Sequence, residues 1–155
     1  MNFVIVTTSL LLLTAVQSRM PTLWWLGGVR IEFLPGLVAF GALTFRRSAA
    51  LALALATGFT QDALSAAPFG LTALVYGIAA VILTSARAAL DRDLPWVQMG
   101  AGALTSAALS FSACCVVGFS FGAFIKLLLL AATSAVVTPP LFLTLDSVRY
   151  ATRTR

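Results

Sequence analysis

The sequence predicts an all-α integral membrane protein, a compact bundle of about six transmembrane helices forming a single domain over residues 1–155. Three observations predict it. First, 60% of the 155 residues are hydrophobic and only 10% are charged, with a mean hydropathy of +1.00. A soluble domain carries about 25% charged residues. So few charges cannot cover a water-exposed surface, and lipid must be the outer solvent. Second, the apolar residues fall in runs broken by short charged or Pro/Gly clusters. Third, the basic residues collect at alternate breaks, as the orientation of membrane helices requires.

The first apolar run gives a span at about 2–18. No Lys or Arg precedes Arg19, so it lacks the basic start of a signal peptide and reads as a retained helix. An outer loop follows through Pro21, Trp24–Trp25, Gly27–Gly28, Arg30 and Glu32, its tryptophans suited to a membrane–water interface. The second span, about 33–45, is closed by Arg46–Arg47. The third, about 48–61, runs into Asp62 and a small-residue turn ending at Pro68. The fourth covers about 70–86. A charged loop from Arg87 to Asp93 leads through Pro95–Trp96 into the fifth, about 96–117. Gly118 to Gly122 form a turn, the sixth span covers about 123–145, and residues 146–155 are a polar, basic tail.

An even number of spans puts both termini on one side. With them inside, Arg46, Arg47, Arg87, Arg92, Arg149, Arg153 and Arg155 are cytoplasmic, against Arg19, Arg30 and Lys126 outside. That asymmetry agrees with the positive-inside rule and accounts for the net charge of +5. The basic balance therefore carries no implication of nucleic acid.

Catalysis and metal binding have little to stand on. There is no histidine, and serines have no base beside them. The five acids lie in four separate segments, and no Gly-rich phosphate loop is present. The sequence predicts no enzyme and no cofactor. Adjacent Cys114 and Cys115 diverge on a helix and read as small packing residues.

Small residues recur at helical spacing: Ala49, Ala52 and Ala56 on the third span, and Ala103, Ala107, Ser110 and Cys114 on the fifth. In lipid such faces let helices approach closely, within one chain or between chains. Asp62 is the one acid between Glu32 and Asp91. It reads as a cap or tether for the next helix, or as a contact for a partner. Lys126, the single lysine, either snorkels to the outer interface or pairs with Asp62. Pro139–Pro140 must kink or end the sixth span, with Thr133 and Thr138 hydroxyls serving the freed carbonyls. A hinge or docking notch is the other reading of this pair.

The stretch from Gly58 through Gln61–Asp62, Pro68 and Gly70–Leu71 to Tyr76 resembles the signature of MreD, the rod shape-determining membrane protein family of bacteria. In that family an apolar span bearing a glycine ends in Gln-Asp. A small-residue turn and a Gly-Leu pair then open the next helix. A Pro-containing loop at Met20–Pro21 and a proline before the basic tail, at Pro139–Pro140, extend the likeness from about Met20 to Arg149. The chain departs from the family where a Pro-acid pair often opens the second span; here the order is Glu32–Phe33–Leu34–Pro35.

The resemblance implies a non-enzymatic inner-membrane scaffold of the elongasome, or Rod complex, supporting cell shape and lateral peptidoglycan synthesis. The implied partners are MreC, a RodA-type glycosyltransferase, a class B penicillin-binding transpeptidase, membrane lipid and, indirectly, the MreB cytoskeleton. Gly58, Gln61, Asp62, Pro68, Gly70, Tyr76, Lys126 and Pro139 are the candidate partner-binding or structural residues. The family fold looks like the substrate-binding component of energy-coupling-factor transporters. The alternative is therefore a small-molecule-binding component of an uptake transporter, which needs an outward pocket of convergent polar groups.

Overall fold

Six α-helices and no strand make up the described residues, 3–19, 32–64, 69–91, 93–117 and 121–153 of the computed structural model. They are α1 (Phe3–Arg19), α2 (Leu34–Thr44), α3 (Arg47–Leu64), α4 (Leu71–Ala86), α5 (Pro95–Val117) and α6 (Phe121–Arg153). Each falls on one of the apolar runs. The outer loop with Trp24, Trp25 and Arg30, the turn ending at Pro68, Arg92 and Gly118 lie outside the described residues.

Two boundaries differ from expectation. The third helix continues through Asp62 to Leu64, so the acid sits in its last turn rather than beyond it. The sixth helix takes in the tail to Arg153, because no Gly or Pro interrupts the sequence after Leu145. Pro139 and Pro140 do not end α6; they lie inside it. Their missing N–H groups leave the carbonyls of Ala135 and Val136 without helical donors. The expected rescue by threonine does not occur. Thr138 Oγ1 donates to the Ser134 carbonyl (2.6 Å) and Thr133 Oγ1 to that of Leu130 (2.9 Å).

The second helix is the centre of the bundle. It is apolar all round, with no charge in eleven residues, and every residue from Leu34 to Leu43 is buried. A helix of that pattern is stable only when enclosed. Pro35 suits its first turn, where no backbone donor is needed. The Phe40 ring meets Phe45 at 5.9 Å and Phe142 at 5.0 Å, both edge-on. Val38, Ala42, Ala54, Tyr76, Ala80, Leu83 and Ala101 complete this core.

Helix pairs α3–α4 and α5–α6 are antiparallel hairpins seamed by small residues. At Gly58 an added Cβ would strike the Ala73 backbone, 2.5 Å from its nitrogen. At Gly102 it would strike the Thr138 side chain. Hydroxyls bind the second seam: Ser134 Oγ donates to the Gly102 carbonyl at 3.1 Å, and Ser106 Oγ to that of Leu130 at 3.4 Å. Thr105 Oγ1 reaches the Pro35 carbonyl of α2 at 3.3 Å.

On α3 and α4 several polar groups are buried while bulky apolar side chains are exposed. On α4, Leu74, Ile78 and Ile82 are exposed, while Thr72, Tyr76, Gly77 and Thr84 are buried. On α3, Leu55 and Phe59 are exposed, while Thr57, Gly58 and Asp62 are buried. By length and apolarity, Ile125–Ser147 of α6 suffices to cross a membrane. It is the one such stretch among the described residues, against the six spans expected. At 11 and 16 residues α2 and α4 are apolar but shorter. Eleven helical residues extend about 16 Å, roughly half the hydrocarbon thickness of a bilayer.

Candidate functional site

The end of the bundle where α1 and α3 finish and α2 and α4 begin gathers the polar side chains. Asp62 organises it. The fourth helix starts at Gly70, whose φ of 95° lies in the left-handed region and which has no side chain to cap with. The first amides of α4 would be orphaned. From the last turn of α3, Asp62 Oδ2 accepts the Gly70 N–H at 2.8 Å and the Ala73 N–H at 3.4 Å. Its Oδ1 accepts the Thr72 N–H at 3.2 Å. A carboxylate at a helix N-terminus also meets the positive end of the helix dipole. Asp62, only 3% exposed, is thus the remote cap of α4, and its tethering role is as expected.

Gly58 lies one turn before Asp62 and lets α3 touch the α4 backbone; Gly70 supplies the reversal. Gln61 continues the cluster to α1, with Gln17 Nε2 at 3.5 Å from Gln61 Oε1. Gln17 Oε1 in turn accepts the Phe33 N–H, at 3.2 Å, before α2. Three helix ends are tied through one glutamine.

Two polar atoms at this end have no partner. Tyr76 is fully buried, and its Oη makes no hydrogen bond. Glu32, one residue before Phe33, is partly buried, yet its Oε2 is fully enclosed and unpaired. Burial pushes the Glu32 carboxyl from 4.5 up to about 7. Buried polar atoms are ordinarily satisfied, so each orphan asks for an explanation.

The Asp62–Lys126 ion pair, the alternative to a snorkelling lysine, is not formed. Lys126 is exposed on α6, and Asp62 has both oxygens engaged by backbone amides of α4. Pro68 lies outside the described residues. Pro139 is partly buried on α6 next to Thr138, far in sequence from the Asp62 cluster. Cys114 and Cys115 are free thiols, the first partly buried and the second exposed.

Sequence reasoning placed Glu32 in an interfacial loop and passed over Gln17. The signal for Glu32 was its position directly before an all-apolar helix. Among the described residues no group of three potential metal ligands occurs. The opposite end is basic: Arg87 Nη1 donates to the Phe45 carbonyl at 2.6 Å, beside exposed Arg46 and Arg47.

The two small-residue stripes behave differently. Ala103, Ala107, Ser110 and Cys114 of α5 are partly buried, as packing within the chain requires. Ala49, Ala52 and Ala56 of α3 are exposed. Comparison of the chain with protein-family models, with curated proteins and with solved structures finds no match in any of the three.

Proposed function

We propose that this protein is a non-enzymatic, multi-pass inner-membrane scaffold of the bacterial elongasome, with all six helices embedded and both termini cytoplasmic. One observation carries the reading: the exposed Ala49–Ala52–Ala56 face of α3. Small-residue faces drive helix association in lipid, where packing rather than hydrophobicity discriminates partners. The residues that resemble the MreD signature support it in a second way. Gly58, Asp62 and Gly70 fix the α3–α4 hairpin, so they hold the docking face in shape rather than touch the partner themselves. The partners proposed are the spans of MreC, a RodA-type glycosyltransferase and a class B penicillin-binding transpeptidase, with the MreB cytoskeleton beneath. The overall fold of such a scaffold would be that of the substrate-binding component of energy-coupling-factor transporters.

Depletion of the protein in its native host tests this. Loss of rod shape and of side-wall peptidoglycan synthesis is expected. Normal shape and synthesis after complete depletion would overturn it. A second reading, a membrane component that binds a small molecule, is favoured by the unpaired Glu32 and Tyr76 oxygens.

A further inference from the structure

We propose that α6 docks a membrane-spanning helix of another protein on its exposed face at Ala132, Val136 and Pro140. The backbone carbonyl of Val136 takes a hydrogen bond there from a hydroxyl or carboxamide side chain of that helix. The proposal adds a second face to that of α3. It rests on the embedding of α6 in the bilayer and not on the identity of the partners.

It starts from the two prolines inside α6. In a helix the carbonyl of one residue is served by the N–H four residues on. Pro139 and Pro140 have none, so Ala135 and Val136 each keep a free carbonyl. The next N–H along, that of Leu141, belongs to Val137 in the same pattern. Among the described residues the α6 hydroxyls are engaged elsewhere. Thr133 donates to the Leu130 carbonyl, Ser134 to that of Gly102, Thr138 to that of Ser134 and Thr144 to that of Leu141. Exposure separates the two free carbonyls. Ala135 and Pro139 are partly buried, whereas Val136 is 67% exposed and Pro140, one turn on, is exposed as well. The Val136 carbonyl lies between those two side chains and opens on the outside of the bundle.

Depth decides what can serve it. Val136 is the middle residue of Ile125–Ser147, the stretch of α6 suited to cross a membrane. The eleven residues on either side of it rise about 16 Å, half the hydrocarbon thickness, which puts this carbonyl at the midplane. Acyl chains carry no donor, water is scarcest there, and an unserved carbonyl is costly. A symmetric contact with a second copy of this chain would set acceptor against acceptor. Lysine and arginine could donate, but their charge is expensive at this depth. The neutral donors Ser, Thr, Asn and Gln remain, the side chains with which membrane helices hydrogen-bond to one another. Ala132, one turn before Val136, leaves room for the close approach that such a bond needs.

The test uses the full-length protein in its native membranes, with a photoreactive residue at Ala132 and mass-spectrometric mapping of the adduct. Pro140→Ala restores the N–H and returns the Val136 carbonyl to the helix, whereas Val136→Ile leaves the carbonyl free. The expected adduct is with a membrane-spanning helix that carries Ser, Thr, Asn or Gln at the contact. Its yield should fall about three- to tenfold in Pro140→Ala, the size of an interhelical hydrogen bond in lipid, and hold in Val136→Ile. Replacing the mapped donor by alanine reads the same bond without altering this fold. It should cost the same factor, and adding Pro140→Ala should cost no more. Lipid adducts alone, an adduct with a second copy of this chain, a contact helix without such a donor, or a yield indifferent to Pro140→Ala each overturns the proposal. A photoreactive residue at Ala56 reads the α3 face separately. A protein adduct from Ala56 without one from Ala132 overturns the α6 face alone; the reverse, with the Ala132 adduct sensitive to Pro140→Ala, overturns the α3 face alone.

Discussion

Replacing Glu32 by glutamine should stabilise the protein at alkaline pH and leave it unchanged in acid. Burial raises this carboxyl from 4.5 to about 7, because its Oε2 is enclosed without a donor. The shift of about 2.5 units corresponds to about 3 kcal/mol at 1.36 kcal/mol per unit. Solvent reaches part of the residue, so about 2–3 kcal/mol is the expected range. The sign follows from proton binding. The folded state holds its proton more tightly than the unfolded chain does, so ionisation opposes folding. The penalty is absent below pH 4.5, grows between 4.5 and about 7, and is complete above. Glutamine has nearly the same shape and never ionises. Reversible unfolding in mixed micelles, in phosphate buffer, is followed from pH 4.5 to pH 8.5. Glu32→Gln should match the parent protein at the acid end and exceed it by about 2–3 kcal/mol at the alkaline end. A variant less stable at pH 8, or a difference independent of pH, would refute the reasoning.

Asp62→Ala leaves three α4 amides without their acceptor and should lower unfolding stability by about 2–4 kcal/mol. Combined with Lys126→Met in a double-mutant cycle its effect should be additive, within about 0.5 kcal/mol, because the two side chains do not meet. Gly58→Ala drives a methyl group into the Ala73 backbone, which no rotamer can relieve. It should be destabilising by about 1–3 kcal/mol, with the α3–α4 hairpin forced apart. Ala56→Leu, on the exposed face of α3, should change stability by less than about 0.5 kcal/mol. The same variant should lose co-purification with the cell-wall synthesis proteins, which separates docking from folding.

Helix positions were legible because runs of apolar residues broken by charge leave few alternatives, whereas the enclosure of α2 was not, because in lipid an all-apolar helix suits the rim of a bundle as well as its centre. The cap role of Asp62 was legible too, since an acid before a helix opened by Gly70 has orphan amides to serve. Its loss of Lys126 as a partner was not. Ion pairing depends on which helices are neighbours, and sequence gives spacing along one helix but not the order around a bundle. The continuation of α6 past Leu145 to Arg153 was also hidden. A proline removes a donor and crowds one turn, yet both prolines lie inside α6, where Thr138 packs against Gly102 and Gly36. Glu32 was the hardest to read. Beside interfacial tryptophans it looked solvated, and only the fold encloses its Oε2.

The proposed docking face of α3 can be probed directly by photo-crosslinking in native membranes. A photoreactive residue at Ala56 is compared with one at Ile78, an exposed position on the bulky outward face of α4. The account predicts a discrete protein crosslink from Ala56, to a membrane-spanning component of cell-wall synthesis, and lipid adducts from Ile78. Lipid adducts alone from both positions, in cells growing as normal rods, would contradict it.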